Sequence, residues 1–244
     1  DAAGPLPTAT PTAAPEPTPT PTPSPTDLVI SAERPLRLYI GGDSMVEIQF
    51  GPALEDLADD TGMIEVLAID YDRGSGLSRP DFVDWPARLA QVSADLAPDA
   101  MVVYFGGNDA QPLKIDGTVH EPEAPEWQAE YRGRVAALMD QLSDAGHHAY
   151  WMGLPIPRSE KMVTRFGILN AIYEEEAATR DAITFVPMWD VFADANGVYA
   201  EYLQNQNGDV VDMRLNDGIH FTTAGAYRAA RPTIARIIED FGIG

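Results

Sequence analysis

LRLYIGGDSMVEIQ, residues 36–49, decides how the whole chain is read. A short run rich in large apolar residues ends at Gly41-Gly42, and Asp43-Ser44 then opens an amphipathic stretch. That is the order of a strand, a tight turn and a helix. Ser44 has two readings in it: an N-cap, a position serine favours, or a nucleophile held at the end of a strand. Gly-Asp-Ser arises by chance in roughly one chain in fifteen of this length at average composition. The tripeptide alone therefore decides nothing, and partners must be found elsewhere in the chain.

Beyond this stretch, short β-branched or apolar runs alternate with longer amphipathic ones, the pattern of βαβ units around a parallel sheet. Strands are expected at 36–40, 65–71, 100–105, 148–153 and 183–187, and helices at 46–60, 86–96, 125–145, 160–180 and 222–241. Between 194 and 215 the pattern changes: GVYAEYL and DVVDMRL flank Asn207-Gly208, a hairpin signal. The fold class is thus α/β with a central parallel five-stranded sheet and a small β-hairpin excursion near 198–215.

The chain has 244 residues and 45% hydrophobic content, enough for one globular domain with a core of its own. Residues 5–26, PLPTATPTAAPEPTPTPTPSPT, contain almost nothing to bury and read as a semi-rigid spacer. The domains are therefore 1–34, a Pro/Thr-rich disordered linker, and 35–244, the folded unit. Such spacers usually hold an exported domain away from an anchor, so an extracellular or cell-envelope location, tethered through the N-terminal linker, is expected. No apolar run approaches the ~18 residues of a transmembrane segment. The net charge is -22, and the charges in the first 34 residues sum to -3, leaving -19 on the remainder. A polyanion would be repelled, which sets nucleic acid aside as a partner. Cysteine is absent, excluding disulfides, thiolate metal sites and cysteine nucleophiles. Asp194-Ala195-Asn196-Gly197 hints at a calcium loop, but Phe192 and Leu203 stand where acidic ligands belong. No His/Asp/Glu cluster has zinc spacing, and neither a metal nor another cofactor is expected.

Ligands of open parallel sheets sit beyond the carboxyl ends of the strands. Ser44 follows the first strand, Gly74-Ser75-Gly76 the second, and Gly106-Gly107-Asn108-Asp109 the third, so all three turns share one rim. A serine nucleophile needs a base, a carboxylate that orients the base, and donors for an oxyanion. Of His120, His147, His148 and His220, two have an aspartate three residues before: Asp144 with His147, and Asp217 with His220. Asp144 and His147 end the helix before the fourth strand, which places them on the amino-terminal rim, away from Ser44. Asp217 and His220 lie in a loop that can return to the carboxyl rim, so His220 is the better base. The Asn108 side chain and the N–H groups of Ser44 and Gly76 can donate to an oxyanion. Taken singly, Gly76 could only turn the chain, Asn108 could cap a turn and His220 could be a surface residue. Asp43, Trp85, Asp109 and Arg158 are candidates for pocket lining; core packing explains Trp85 and a surface salt bridge explains Arg158 equally well.

Gly42-Asp43-Ser44, Gly76, Gly106-Gly107-Asn108-Asp109 and Asp217-Gly218-Ile219-His220 resemble, in order and spacing, the four blocks of the SGNH, or GDSL-like, hydrolases. The resemblance covers about Pro35 to Gly244. The stretch SGLSRPDFVDWP, residues 75–86, is similar to a bacterial envelope subfamily catalogued mainly as a domain of unknown function. The resemblance implies a flavodoxin-like three-layer α/β/α sandwich and serine esterase or acyl-transfer chemistry. Gly74 and Gly76 share one turn, and the donor is assigned to Gly76. The expected function is hydrolysis of short, acetyl-like O-esters on a small molecule or glycan through an acyl-Ser44 intermediate. The alternatives are an O-acyltransferase using the same intermediate and a non-catalytic envelope-binding domain. The G-x-S-x-G elbow of α/β-hydrolases is excluded, because Val46 stands where it needs glycine.

Overall fold

The computed structural model describes residues 28–244. β1 (Leu36–Gly42) lies between two parallel neighbours, β2 (Ile64–Tyr71) and β3 (Ala100–Tyr104). A separate antiparallel hairpin, β4 (Leu113–Ile115) and β5 (Thr118–His120), follows β3. The sheet is then completed by β6 (His148–Met152) and β7 (Ile183–Val186), giving five parallel strands in the order β2-β1-β3-β6-β7. A second small hairpin, β8 (Tyr202–Gln204) and β9 (Val210–Asp212), makes the expected excursion near 198–215.

The residues explain this arrangement. Every residue of β3 (AMVVY) and β6 (HAYWM) is buried, as a parallel strand covered on both faces requires. Each large apolar side chain hidden there contributes ~1.5–3 kcal/mol relative to exposure. The edge strand β2 is only partly covered and accommodates Glu65 and Asp70. Helices α1 (Gly51–Asp59) and α5 (Thr223–Asp240) pack together in one layer, and α2 (Trp85–Leu96), α3 (Pro125–Asp144) and α4 (Glu160–Ala177) pack in sequence in another. The three-layer sandwich is therefore as expected. None of the described helices is long and apolar enough to cross a membrane.

Three features differ from the sequence reading. The expected helix over 46–60 is broken: residues 46–50 form an irregular wide turn in which Ile48 and Gln49 leave helical geometry (Gln49 φ 74°), and α1 starts only at Gly51. Pro52, at the second helical position, suits a helix start, and the Gln49 side chain is tied to α5 through the Thr223 hydroxyl at 3.2 Å. The β4–β5 hairpin turns on Asp116-Gly117, both at positive φ, a two-residue signal that the sequence carries. Finally, the linker assignment of 1–34 is too long at its end. Residues 1–27 lie outside the described residues, but Leu28 and Ile30 pack against the core. The Arg34 guanidinium also donates two 2.8 Å hydrogen bonds to the Asp99 carboxylate.

Candidate active site

Strand order brings the site together. β1 leaves toward β2 on one side, and the chain then returns to place β3 on its other side, so the carboxyl end of β1 is a topological switch point. Ser44 sits there, with the 74–76 turn of β2 and the 106–109 turn of β3 on either flank. Ser44 is 8% exposed.

His220 approaches from the loop before α5. Ser44 Oγ lies 2.8 Å from His220 Nε2, and His220 Nδ1 lies 2.7 Å from Asp217 Oδ2. With the Nδ1 proton held by Asp217, Nε2 accepts from the Ser44 hydroxyl. The other Asp217 oxygen accepts from the N–H groups of Ile219 and His220, at 2.8 and 2.9 Å. Partial burial works to raise the Asp217 carboxyl, but the hydrogen bonds from His220 and from these amides outweigh it and hold the carboxyl below its usual range. Asp217 therefore stays ionised through the neutral range and fixes the ring.

The other histidines lie elsewhere. His147 is buried at the amino-terminal rim between the Pro98 carbonyl and the Ser93 hydroxyl, both 2.8 Å away, and makes no pair with Asp144. Burial pushes its pKa down. His148 meets the Thr184 hydroxyl, and His120 meets Glu126.

Asn108 stands beside the 74–76 turn and donates one amide hydrogen to the Ser75 carbonyl at 3.2 Å, which leaves its second amide hydrogen available. The Ser44 and Gly76 N–H groups donate to no other described residue. Gly76 is packed tightly: a Cβ there would overlap the Asp109 carboxylate, whereas Gly74 has open space around it. Gly74→Ala is thus expected to lose only ~1–2 kcal/mol of stability through its left-handed backbone (φ 75°). Gly76→Ala should push the Asp109 carboxylate out of place and take turnover with it. Measuring kcat and melting temperature on both variants separates the two glycines.

Asp43 and Asp109, expected as pocket lining, are fully buried and form the frame beneath the rim instead, whereas Trp85, also buried, does line a pocket, the apolar one behind Gly76. The reason is the hydrogen bonding of the two carboxylates. Asp43 accepts from the Met45 N–H at 2.8 Å and the Gly106 N–H at 3.2 Å, joining the β1 turn to the β3 turn. Burial lifts its carboxyl to about 7, against these donors and with Asp109 adding to the rise. Asp109 accepts from the Leu77 and Ser78 N–H groups at 3.0 and 2.7 Å and from the Tyr131 hydroxyl at 2.6 Å, and so pins the segment after Gly76. Burial pushes its carboxyl up as well. Trp85 donates from its indole nitrogen to the Ser75 hydroxyl at 3.0 Å.

The loop carrying Asp217 and His220 is gripped from two sides. Arg158, also expected in the pocket, is 48% exposed and lies over the loop's outside. Its backbone N–H donates to the Gly218 carbonyl, and its guanidinium donates to the Asn216 carbonyl. From beneath, Arg214 is 1% exposed and caged by the rings of Phe192, Tyr199 and Phe221 at 5.2, 5.5 and 5.4 Å. Its Nη2 donates to the Gly218 and Ile219 carbonyls at 3.1 and 2.8 Å. Burial lowers its pKa to about 10, so it remains cationic below Asp217. Sequence reasoning missed this residue, since an arginine in MRLNDG carries no sign of burial.

An apolar pocket of about 320 Å³ lies behind Gly76, lined by Leu77, Pro80, Val83, Trp85 and α3. Residues 72–85 are thus more apolar in the fold than their Gly, Asp and Pro content implies, because Leu77 and Val83 turn to one side.

A family model described as "Protein of unknown function (DUF459)" matches residues 37–236. No curated protein matches the chain. Among solved structures, a GDSL-like lipase from Bacteroides thetaiotaomicron is 15% identical with a TM-score of 0.57, over 88% of this chain and 94% of that one. A variant of an acetyl xylan esterase from Geobacillus stearothermophilus is 15% identical with a TM-score of 0.57, over 85% and 94%. An alpha/beta hydrolase enzyme from the metagenome of Lake Arreo is 16% identical with a TM-score of 0.58, over 82% and 94%. At these identities the likeness is one of fold.

Proposed function

We propose that this chain, which belongs to the family described as protein of unknown function (DUF459), is a serine esterase that removes short acyl groups from oxygen esters. The observation that carries the reading is the Ser44–His220–Asp217 relay, with 2.8 and 2.7 Å links, at the carboxyl rim of the sheet. His220 Nε2 takes the Ser44 proton as Oγ attacks the ester carbonyl carbon. The carbonyl oxygen becomes an oxyanion, held by the Ser44 and Gly76 N–H groups and the Asn108 amide. When the intermediate collapses, His220 gives the proton to the departing alcohol and leaves an acyl-Ser44. Water, deprotonated by His220, then releases the carboxylic acid and restores the serine. Besides the ester and water, each of these steps uses only side chains and backbone groups of the chain itself.

Asn108→Ala should lower kcat by ~10²-fold or more, because one lost oxyanion donor costs about 3 kcal/mol in the transition state. A variant with a raised KM and unchanged kcat contradicts that role.

The acyl group is proposed to be acetyl-like and the alcohol a glycan or small polyhydroxylated molecule. In support, the rim segments 106–124 and 191–219 are rich in Gly, Asp, Asn and Gln, and the lipase and the xylan esterase share the fold. The apolar pocket behind Gly76 favours a second reading, in which methylenes of a longer acyl chain are buried there at ~0.8 kcal/mol each. A p-nitrophenyl ester series from acetate to palmitate, compared as kcat/KM, decides between them. A maximum at acetate is expected, and a maximum at eight carbons or longer refutes the short-acyl reading. Handing the acyl group to a sugar hydroxyl instead of water needs no change in the relay, so transferase activity is tested in the same assay with a sugar acceptor. The Pro/Thr-rich residues 5–26 support an exported, envelope-tethered placement.

A further inference from the structure

In this strongly acidic chain nearly every arginine is bound to a carboxylate. Among the described residues the exceptions are Arg37, Arg214, Arg228 and Arg231. Arg37 donates to the Ala97 carbonyl, and Arg214 is enclosed by rings beneath Asp217. Arg228 and Arg231 remain, one turn apart on α5. They line a shared pocket of about 460 Å³ together with the amide-rich hairpin stretch 204–207, Met213 and Tyr227.

This pocket is built in advance of any ligand. The Arg228 guanidinium donates to the Val191 and Gln204 carbonyls at 2.6 and 2.8 Å, which fixes the hairpin against α5. Among the described residues Arg231 makes only a ring contact, 5.6 Å from the centre of Tyr227. On α1, the Asp56 carboxylate is bound by the Tyr227 hydroxyl. An arginine without an acid, beside an aromatic face and a row of side-chain amides, suits a ligand with one carboxylate and several hydroxyls. A chain of many negative charges does not suit it, because the protein's own charge of -22 opposes one.

We propose that this pocket is a recognition subsite for a sugar unit bearing a single carboxylate. The inference rests on reading Ser44 as acting on a glycan ester. Ala224, four residues after His220, is one of the residues lining the pocket. Arg231 lies a further ~10 Å along α5 at ~1.5 Å per residue. The acid-bearing unit is therefore set apart from the esterified one on the same glycan.

The test is an NMR titration of the full chain at low salt with methyl β-D-glucuronide and, separately, with the neutral methyl β-D-glucoside. Backbone signals of 204–207 and 224–231 should shift with the glucuronide, with binding at least ~10-fold tighter than for the glucoside, the ratio of one charge-assisted contact. Arg231→Gln should remove that difference while leaving the melting temperature unchanged, since the side chain makes no hydrogen bond to any described residue. Equal binding of the two sugars, no shifts at these residues, or undiminished glucuronide binding in Arg231→Gln overturns the proposal. The titration contains no ester. Its failure beside intact labelling of Ser44 by a fluorophosphonate removes this inference alone, and a bound glucuronide beside an unlabelled Ser44 removes only the esterase reading.

Discussion

Ser44→Ala is expected to abolish hydrolysis of p-nitrophenyl acetate, lowering kcat by ~10⁴-fold or more, with only the residual rate that binding and oxyanion donors supply. The melting temperature should stay within a degree or two. The hydroxyl's one side-chain partner is His220 Nε2, and the site is partly open, so alanine leaves neither a large cavity nor a buried unpaired donor behind. These two readouts together separate a chemical role from a structural one. Turnover close to wild type in the variant removes Ser44 from the mechanism. A large fall in stability returns it to the N-cap reading with which the sequence began.

His220→Ala should be as inactive as Ser44→Ala, whereas His147→Ala should keep most of its activity. Both histidines follow an aspartate by three residues, so the pair tests position rather than spacing. His147 lies at the opposite rim, held by the Pro98 carbonyl and the Ser93 hydroxyl. Its replacement leaves that carbonyl without its ring donor and should cost stability of the order of 1–3 kcal/mol instead of rate. Equal loss of kcat in the two variants, at temperatures where both are folded, contradicts the assignment of the base.

Much of this arrangement was legible in the chain because parallel strands covered on both faces must be nearly continuous apolar runs, and AMVVY and HAYWM are such runs. The turns that follow them carry the glycines, and the strand order places those turns on one rim, so the relay of Ser44, Asp217 and His220 followed from topology and spacing together. The hairpin near 198–215 was announced by Asn207-Gly208. The same chemistry at Asp116-Gly117 marks the β4–β5 hairpin, which was missed because its strands are only three residues long and show no clear alternation. The break at Ile48 and Gln49 was missed because VEIQF carries a helical period, and only the pull of Thr223 and the start enforced around Pro52 interrupt it. Asp43 and Asp109, in the turns at the carboxyl rim, read from the sequence as pocket lining. What buries them is a set of backbone N–H groups from neighbouring turns, a property of three-dimensional approach that no local pattern encodes. Arg214 is hidden for the same reason, since its partners are rings from residues 192, 199 and 221 and two carbonyls of the loop it supports.

Whether Ser44 is an activated nucleophile is read by intact-mass analysis of the full chain after incubation with a fluorophosphonate, followed by mapping of the modified peptide. One added phosphonyl group per chain is expected, located on Ser44 and lost in His220→Ala. An unmodified protein, or a label on any other residue, contradicts it.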